Sequence, residues 1–175
     1  MDIDDSALMG AHGYCSQEMV HLLLLGTATS NTFDGDKILD ESTVLKGIHA
    51  RSDIGLLSLF EHYDSIVVGD NLKTPNLPIW LVCSESHFTV LFGLQRGLQR
   101  TSVAEKKRID LFYYDQLNRM QDNLIKLSID CKLEDFLRLA PTKDSEKLVI
   151  SPIEHCIRTK WHEASIDWNG SEPLL

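Results

Sequence analysis

Hydrophobic residues in the middle of this chain fall into two short runs with a polar step between them. The runs Ile79–Val82 and Phe88–Phe92 are both rich in branched and aromatic side chains. Runs of this length and composition are typical of buried β-strands. Between them lies the polar stretch Ser84–Ser86, which ends at His87. The pattern predicts a central β-hairpin with a histidine at the start of its second strand.

Other short apolar runs predict further strands around this hairpin. They are Ile66–Val68, Ile109–Tyr114, Leu124–Ile129 and a last strand and turn over Ala164–Gly170. Helices are predicted where apolar spacing and capping residues coincide. These are Ser16–Leu25 with Gly26 past its end, a helix from Ser52 or Asp53 to Tyr63, one or two turns over Leu133–Leu139, and Pro152–Lys160 capped by Ser151. Helices come first, antiparallel strands follow, and one helix returns late. This order predicts an α+β fold in which helices pack on a mainly antiparallel sheet.

Polar segments connect these elements. Thr27–Lys46 is interpreted as a surface loop and Thr142–Lys147 as a charged loop. The basic cluster Lys106–Arg108 fits either a solvated surface or a contact with an acidic partner.

Length and composition limit the classes of protein to which the chain can belong. With 175 residues, of which 43% are hydrophobic, it is expected to form one domain with a sizeable core. No apolar run approaches the length that spans a bilayer, and the acidic start Met1–Asp5 lacks the features of a signal peptide. We therefore expect no membrane partner.

Charge and cysteine content further limit the expected binding partners and cellular compartment. A net charge of −9 disfavours binding to a phosphate backbone, so no nucleic-acid partner is expected. The four cysteines show no CxxC pairing. Together with the missing secretion signal, this favours free thiols and a cytoplasmic or nuclear location. No cofactor and no metal site is expected, since the histidines are scattered along the chain.

His87 is the main candidate for chemistry. Histidine titrates near neutral pH and transfers protons in both directions, and a strand end fixes its ring beside a cleft. The alternative is a solvated loop histidine. Cys15 lies at the start of the first predicted helix, where peptide dipoles favour a thiolate, although a small buried structural cysteine is the commoner occupant of such a position.

A cysteine-peptidase site needs a thiolate, an imidazole and a third group that orients the imidazole. The order Cys15, His87, Asp115 matches this requirement, and Asp115 follows His87 by 28 residues, just after a predicted neighbouring strand. Asp115 also suits a simple turn at a strand end. Cys83 is a poor partner for His87, because four extended residues would separate them by about 13 Å unless a turn intervenes.

Several segments of the chain resemble the MINDY deubiquitinases, in order and over most of its length. They are Gly10–Gly26, Arg51–Tyr63, the hairpin Pro78–Phe92 and the tail Pro152–Leu175. Within them, the motifs Ala50–Gly55 and Cys156–Trp161 are specific, and Ser84–Phe88 resembles the branch with a Ser-Glu-Ser-His-Phe motif.

The resemblance implies a partial papain-like cysteine-peptidase fold that hydrolyses isopeptide bonds in lysine-linked polyubiquitin, with preference for the linkage that directs proteins to the proteasome. Ubiquitin and polyubiquitin are then the partners. His87 is the implied general base and acid, and Asp115 is the tentative orienting residue.

One family feature is missing. The family nucleophile lies upstream, in a Gly-Gly-Pro-Cys-Gly type motif that this chain lacks, as it lacks the oxyanion-hole glutamine. Cys15 resembles a family cysteine that is not the nucleophile. Residues 1–175 are thus interpreted as the carboxy-terminal part of a MINDY-type catalytic domain, and the isolated chain is expected to be inactive. The alternatives are a non-catalytic ubiquitin-binding module using the surface around Trp161, Trp168 and the hairpin, an inactive relative, or a structural scaffold.

Overall fold

The computed structural model describes residues 7–101, 108–117, 124–131 and 150–173. Three of the expected features fall wholly or largely outside these ranges. They are the helical turns over Leu133–Leu139, the charged loop Thr142–Lys147 and most of the basic cluster Lys106–Arg108.

The described residues are organised around one six-stranded sheet and a separate two-stranded sheet. Strands β1 and β2 form the small sheet, and β3 to β8 form the large one in the order in which they occur along the chain. The bounds are β1 Lys37–Ile38, β2 Val44–Leu45, β3 Gly55–Ser58, β4 Ile79–Ser84, β5 His87–Phe92, β6 Arg108–Tyr114, β7 Leu124–Asp130 and β8 Ser165–Asp167. Among the strands that the structure describes in the large sheet, β3 and β4 pair in parallel and the other neighbours pair antiparallel. The expected α+β class with a mainly antiparallel sheet is confirmed.

The helices are short. Their bounds are α1 Gln17–Leu25, α2 Leu59–His62, α3 Asp70–Lys73 and α4 Pro152–Arg158, with single 3₁₀ turns at Ala11–Gly13 and Leu98–Arg100. Ser16 caps α1 by accepting a hydrogen bond from the Met19 amide, and Gly26 ends this helix in the left-handed conformation. Ser151 caps α4 in the same way through the Ile153 amide. Both predicted helix starts are therefore confirmed.

The predicted helix from Ser52 or Asp53 to Tyr63 is wrong. Its first part is β3, in which all four residues are buried and pair with Trp80–Cys83 of β4. Its second part is the single turn α2. Gly55 lets β3 lie close to its neighbours, because no side chain fits at this position. A methyl group at Gly55 would collide with the Leu72 carbonyl oxygen and would lie 2.6 Å from Cδ1 of Trp80.

The predicted strand Ile66–Val68 is also wrong. Its backbone groups bond to side chains rather than to another strand. The Val68 amide donates to Oε1 of Glu61 at 3.0 Å, and the Val67 carbonyl accepts from the Thr32 hydroxyl at 2.6 Å. These bonds replace the ladder that a strand needs. The run is therefore a connection without strand pairing, and its last residue, Val68, packs into a second apolar cluster with Ile48, Leu56 and Leu72.

The main hydrophobic core lies between the large sheet and α4. Strand side chains alternate between the two faces of a sheet, and the inward set meets apolar residues of α4 and of the chain after it. The inward residues of the three central strands are Trp80, Val82, Thr89, Leu91, Ile109, Leu111 and Tyr113. Trp80 meets Trp161 edge to face with ring centroids 5.4 Å apart. This core holds the start of β5 and the end of β6 in place, where His87 and Asp115 lie.

Helix α1 carries a fully buried histidine, His21. Its Nδ1–H donates to the Thr29 carbonyl at 2.5 Å, and its Nε2 accepts from the Gln17 side-chain amide at 2.9 Å. Both nitrogens are thus used by the neutral ring. A second ring proton would turn Nε2 into a donor facing another donor, so the site favours the neutral form.

We expect His21 to make the stability of the fold depend on pH. Burial lowers the pKa of the His21 imidazole, and the bond to Thr29 and the nearby Glu18 carboxylate only partly oppose this. The unfolded chain regains a pKa near 6.5 and binds more protons below that pH. The contribution of His21 to stability should therefore be constant above about pH 7 and fall by up to ~1.4 kcal/mol per pH unit as pH drops from 6.5 towards the folded pKa.

Urea unfolding at pH 7.5 and pH 5.5 measures this loss. His155, whose pKa burial also lowers, contributes to the same slope, so the comparison must be made between variants. His21→Gln should reduce the loss between the two pH values, whereas the exposed control His12→Gln should leave it unchanged. An unaltered slope in His21→Gln would show that this imidazole does not carry the effect.

Candidate functional site

A tight turn places His87 at the start of β5. Ser84 of β4 pairs with His87, so only Glu85 and Ser86 lie between the two strands. Two-residue hairpin turns favour a positive φ at their first position, and Glu85 adopts +55° there. A non-glycine residue in this region is strained. The flanking strand pairs hold the turn, and with it the backbone of His87.

The structure brings His87 and Asp115 together. Nε2 of His87 lies 3.0 Å from Oδ1 of Asp115, and the side chains are 39% and 12% exposed. Asp115 follows the end of β6 directly, and the pairing of Val90 with Tyr114 brings this strand end alongside β5. Oδ1 also accepts the Leu117 amide at 2.9 Å. Asp115 is therefore fixed both to the histidine and to its own turn.

This contact determines which ring nitrogen of His87 remains available. A carboxylate oxygen accepts hydrogen bonds, so Nε2 carries the proton in the neutral ring. Within the described ranges, Nδ1 makes no hydrogen bond. The arrangement leaves a basic nitrogen on a partly exposed ring, with its other nitrogen held by an acid. A pair of this kind can accept a proton and return it.

None of the cysteines is seen bonded to His87 in the part of the chain that the structure describes. Cys83 pairs across the hairpin with Phe88, the neighbour of His87, so its side chain points to the opposite sheet face. The hairpin turn therefore brings Cys83 closer to His87 than an extended chain would. Their side chains nevertheless point to opposite faces of the sheet. Cys131 and Cys156 are buried, and Cys15 is exposed beside a single β-bridge to Met9.

The electrostatics of two thiols also oppose a nucleophilic role. Burial raises the pKa of Cys83, and a hydrogen bond with Ser58 only partly offsets this. Burial, with Cys83 nearby, raises the pKa of Cys156 to about 12. Both therefore stay protonated near neutral pH, and a thiol is a weak nucleophile. Of the candidate trio, the structure joins His87 to Asp115 and leaves Cys15 apart.

Two further polar residues lie on the same sheet face as His87. Thr89 is two residues along β5, and Tyr113 is two residues before Asp115 on β6. Burial raises the pKa of Tyr113 to about 12; a nearby Thr89 hydroxyl opposes the rise, and the Asp115 carboxylate adds to it. The sequence interpretation missed both residues. The alternation of β5 and β6 could have placed them beside the histidine.

The two tryptophans that the binding-module alternative singled out, Trp161 and Trp168, are buried. Trp161 is 0% exposed and Trp168 is 6% exposed. Their ring nitrogens donate inside the protein, to the Thr101 carbonyl at 3.1 Å and to Glu154 at 2.8 Å. These tryptophans stabilise the core, and neither can supply a large contact area to a partner.

The described ranges contain no cluster of three or more His, Cys, Asp or Glu side chains that could hold a metal ion. His62 and His155 stack with ring centroids 3.9 Å apart, which is a packing contact between α2 and α4. None of the helices in these ranges is long and apolar enough to cross a membrane.

Comparison with known proteins identifies the family. The model of the MINDY-3/4 deubiquitinating enzyme conserved domain matches residues 1–170. A human protein named probable ubiquitin carboxyl-terminal hydrolase MINDY-4 is 51% identical over 99% of this chain, and its Xenopus tropicalis counterpart is 48% identical over the same share. The ubiquitin carboxyl-terminal hydrolase MINDY-3 of Xenopus tropicalis is 41% identical over 50% of the chain.

The chain spans 22% of the length of the human protein and 23% of the Xenopus tropicalis MINDY-4. No solved structure matches it significantly. The match over nearly the whole chain, both to the family model and to the MINDY-4 proteins, is decisive. The chain belongs to the MINDY-3/4 deubiquitinating-enzyme family, whose domain has a papain-like cysteine-protease fold.

Proposed function

We propose that this chain supplies the histidine half of a cysteine-type ubiquitin hydrolase site. The observation that carries the proposal is the His87–Asp115 pair, a partly exposed imidazole whose Nε2 is held by a carboxylate at 3.0 Å. His87 is the proton-transfer residue and Asp115 is the residue that orients it. Membership of the MINDY-3/4 family supports ubiquitin as the substrate.

The pair would serve both halves of thiol-dependent hydrolysis. Nδ1 of His87 accepts the proton of the attacking thiol, and the sulfur bonds to the isopeptide carbonyl carbon. The imidazolium, stabilised by Asp115, then donates this proton to the departing lysine amine as the carbon–nitrogen bond breaks. His87 next takes a proton from the water that hydrolyses the thioester and returns it to the sulfur.

The proposal also covers the linkage that is cleaved, the part of the catalytic domain that this chain forms and the source of the nucleophile. The substrate is lysine-linked polyubiquitin of the proteasome-targeting linkage, and residues 1–175 act as the carboxy-terminal part of the catalytic domain. A cysteine other than the four in this chain provides the nucleophile. All four cysteines are free thiols, which supports the expected reducing compartment, the cytoplasm or nucleus.

A segment exchange tests the proposal. The matching segment of human MINDY-4, to which the chain is 51% identical over 178 residues, is replaced by this chain, and the chimera is incubated with linkage-defined ubiquitin chains. The unaltered human protein is the positive control. The proposal expects the chimera to cleave the proteasome-targeting linkage; a folded chimera that does not, beside an active control, contradicts it.

A second candidate function is ubiquitin binding without catalysis. It is the alternative if this chain takes no part in catalysis. Three of the four cysteines are buried, and no hydrogen bond from a thiol to His87 is seen in the described ranges, so the thiols of this chain oppose hydrolysis. Binding of mono- and polyubiquitin by this chain, together with an inactive chimera, would support it over hydrolysis.

We expect the 175-residue chain by itself to leave polyubiquitin intact. Loss of one member of a catalytic triad costs several orders of magnitude in rate, and here the thiol member is absent from the site. A ubiquitin-derived thiol-reactive probe, followed by mass spectrometry, measures this directly. Labelling of Cys15 that disappears in His87→Gln would show that Cys15 is the nucleophile after all; labelling that persists in this variant would indicate only an exposed thiol.

A further inference from the structure

The end of the β5–β6 pair carries four polar side chains where the sheet pattern provides for apolar core. His87 and Thr89 lie on one face of β5, and they are joined by Tyr113 of β6 and by Asp115, the residue directly after β6. The pairing of Leu91 with Tyr113 sets the register of the two strands. Two residues further along, this register places Thr89 across from Asp115. The sequence thus concentrates polar groups at one point on the inner face.

Thr89 is the unusual member of this group. It is 3% exposed, and its hydroxyl oxygen is fully buried without a hydrogen bond to any residue in the described ranges. Its partner across β4 is Val82, which is 0% exposed, so the surroundings are apolar on that side. A valine of the same shape would avoid the cost of an unpaired buried hydroxyl. The hydroxyl therefore calls for a function beyond packing.

Asp115 offers the complementary acceptor. Its Oδ1 accepts two hydrogen bonds, from Nε2 of His87 and from the Leu117 amide. Its Oδ2 makes no hydrogen bond with the residues that the structure describes. A buried donor and an unused carboxylate oxygen thus sit on facing strands, and a small rotation about a threonine side-chain bond can redirect the hydroxyl.

Tyr113 lies beside these groups on β6. Its ring lies on the same face, 1% exposed, with an edge-to-face contact to Trp168 at 6.4 Å between centroids. Burial raises the pKa of the Tyr113 hydroxyl; the Thr89 hydroxyl partly opposes this rise, as a weak hydrogen bond would, and the Asp115 carboxylate adds to it. The Thr89 hydroxyl meets the full geometry of a hydrogen bond with no residue in the described ranges, so its proton remains available to a stronger, charged acceptor.

We propose that Thr89 is a positioning residue for the His87–Asp115 pair. When His87 carries its second proton, the Thr89 hydroxyl donates to Oδ2 of Asp115, directly or through one water, and holds the carboxylate so that Oδ1 stays on Nε2. The catalytic meaning of this contact rests on the proposed function, whereas the contact itself does not.

Nuclear magnetic resonance of the 175-residue chain tests the contact without turnover. The exchange of the His87 Nε2 proton with water is measured in the imidazolium form for Thr89→Val and Thr89→Ser. We expect about fivefold faster exchange in Thr89→Val, the effect of losing one hydrogen bond, and rescue to within about twofold by Thr89→Ser. Unchanged exchange in Thr89→Val overturns the proposal.

A matched control separates positioning from general loosening of the fold. Thr32 is also buried, 4% exposed, and its hydroxyl donates to the Val67 carbonyl away from the histidine. Thr32→Val removes the same atom and should leave exchange at His87 unchanged. If Thr32→Val accelerates exchange as much as Thr89→Val does, the effect is global and the proposal fails.

The segment-exchange protein gives the catalytic readout. There, Thr89→Val should lower kcat about fivefold with little change in KM, and Thr89→Ser should restore it. If the chimera is inactive while proton exchange still responds to Thr89, the proposed function fails and the positioning role stands. If the chimera is active and neither kcat nor exchange responds, the positioning role fails and the proposed function stands.

Discussion

Replacing His87 with glutamine is expected to abolish ubiquitin-chain cleavage by the segment-exchange protein, with a loss of about 10³- to 10⁴-fold in kcat. Glutamine is of similar size but cannot take the proton of a thiol or return it to an amine. The side chain is 39% exposed, so the change removes chemistry with little effect on the core. Initial rates of cleavage of linkage-defined chains measure the loss.

The matched control is His49→Gln. His49 is exposed and bonds to Asp36 at 2.9 Å, which gives it the same kind of carboxylate partner as His87. Its replacement should leave the rate within about twofold of the parent protein. Equal activity in the His87 and His49 variants would remove His87 from the mechanism, and the hydrolase proposal with it.

Replacing Gly55 with alanine is expected to destabilise the fold by about 3 kcal/mol or more, the upper range for inserting a carbon into a packed core. The added methyl group would meet the backbone carbonyl of Leu72 and the Trp80 ring, and would lie 3.0 Å from Cγ of Pro75. A backbone carbonyl cannot move aside as a flexible side chain can, so β3 must shift away from β4. Urea unfolding followed by circular dichroism measures the loss.

Gly10→Ala is the control for this variant. A methyl group there would lie 3.6 Å from the Tyr14 carbonyl oxygen, an ordinary contact. Its effect should stay within about 0.5 kcal/mol, as for most surface substitutions. If Gly55→Ala unfolds at the same urea concentration as Gly10→Ala, then β3 is not packed as described.

The centre of the sheet could be predicted because its signals are local. The runs that became β4 and β5 are branched and aromatic throughout, and the polar turn between them contains only two residues. β3 could not be predicted in the same way. Its partner is parallel and distant in sequence, and the spacing of Ile54, Leu57 and Phe60 imitates a helical face. Nothing local marks Gly55 as a point of contact with Leu72.

The candidate site likewise contains features that local sequence predicts and features that it does not. The contact between His87 and Asp115 could be anticipated because both lie at ends of strands that follow one another in the sheet. Thr89 and Tyr113 read as ordinary strand residues, and only burial without a partner makes Thr89 notable. The raised pKa of the Cys156 thiol results from its burial between α4 and the sheet. This packing cannot be read from the local sequence.

Strand order in the large sheet follows chain order from β3 to β8, and this bears on how the molecule folds. Contacts between consecutive segments close small loops and form quickly, whereas parallel pairing needs a long crossover and forms slowly. The β4–β5 hairpin is therefore expected to assemble early, with β3 joining later. If a mutation slows the addition of β3, a folding intermediate forms in which the β4–β5 hairpin already holds His87. In that intermediate the edge of β4 is unpaired and can pair with another chain, which leads to aggregation.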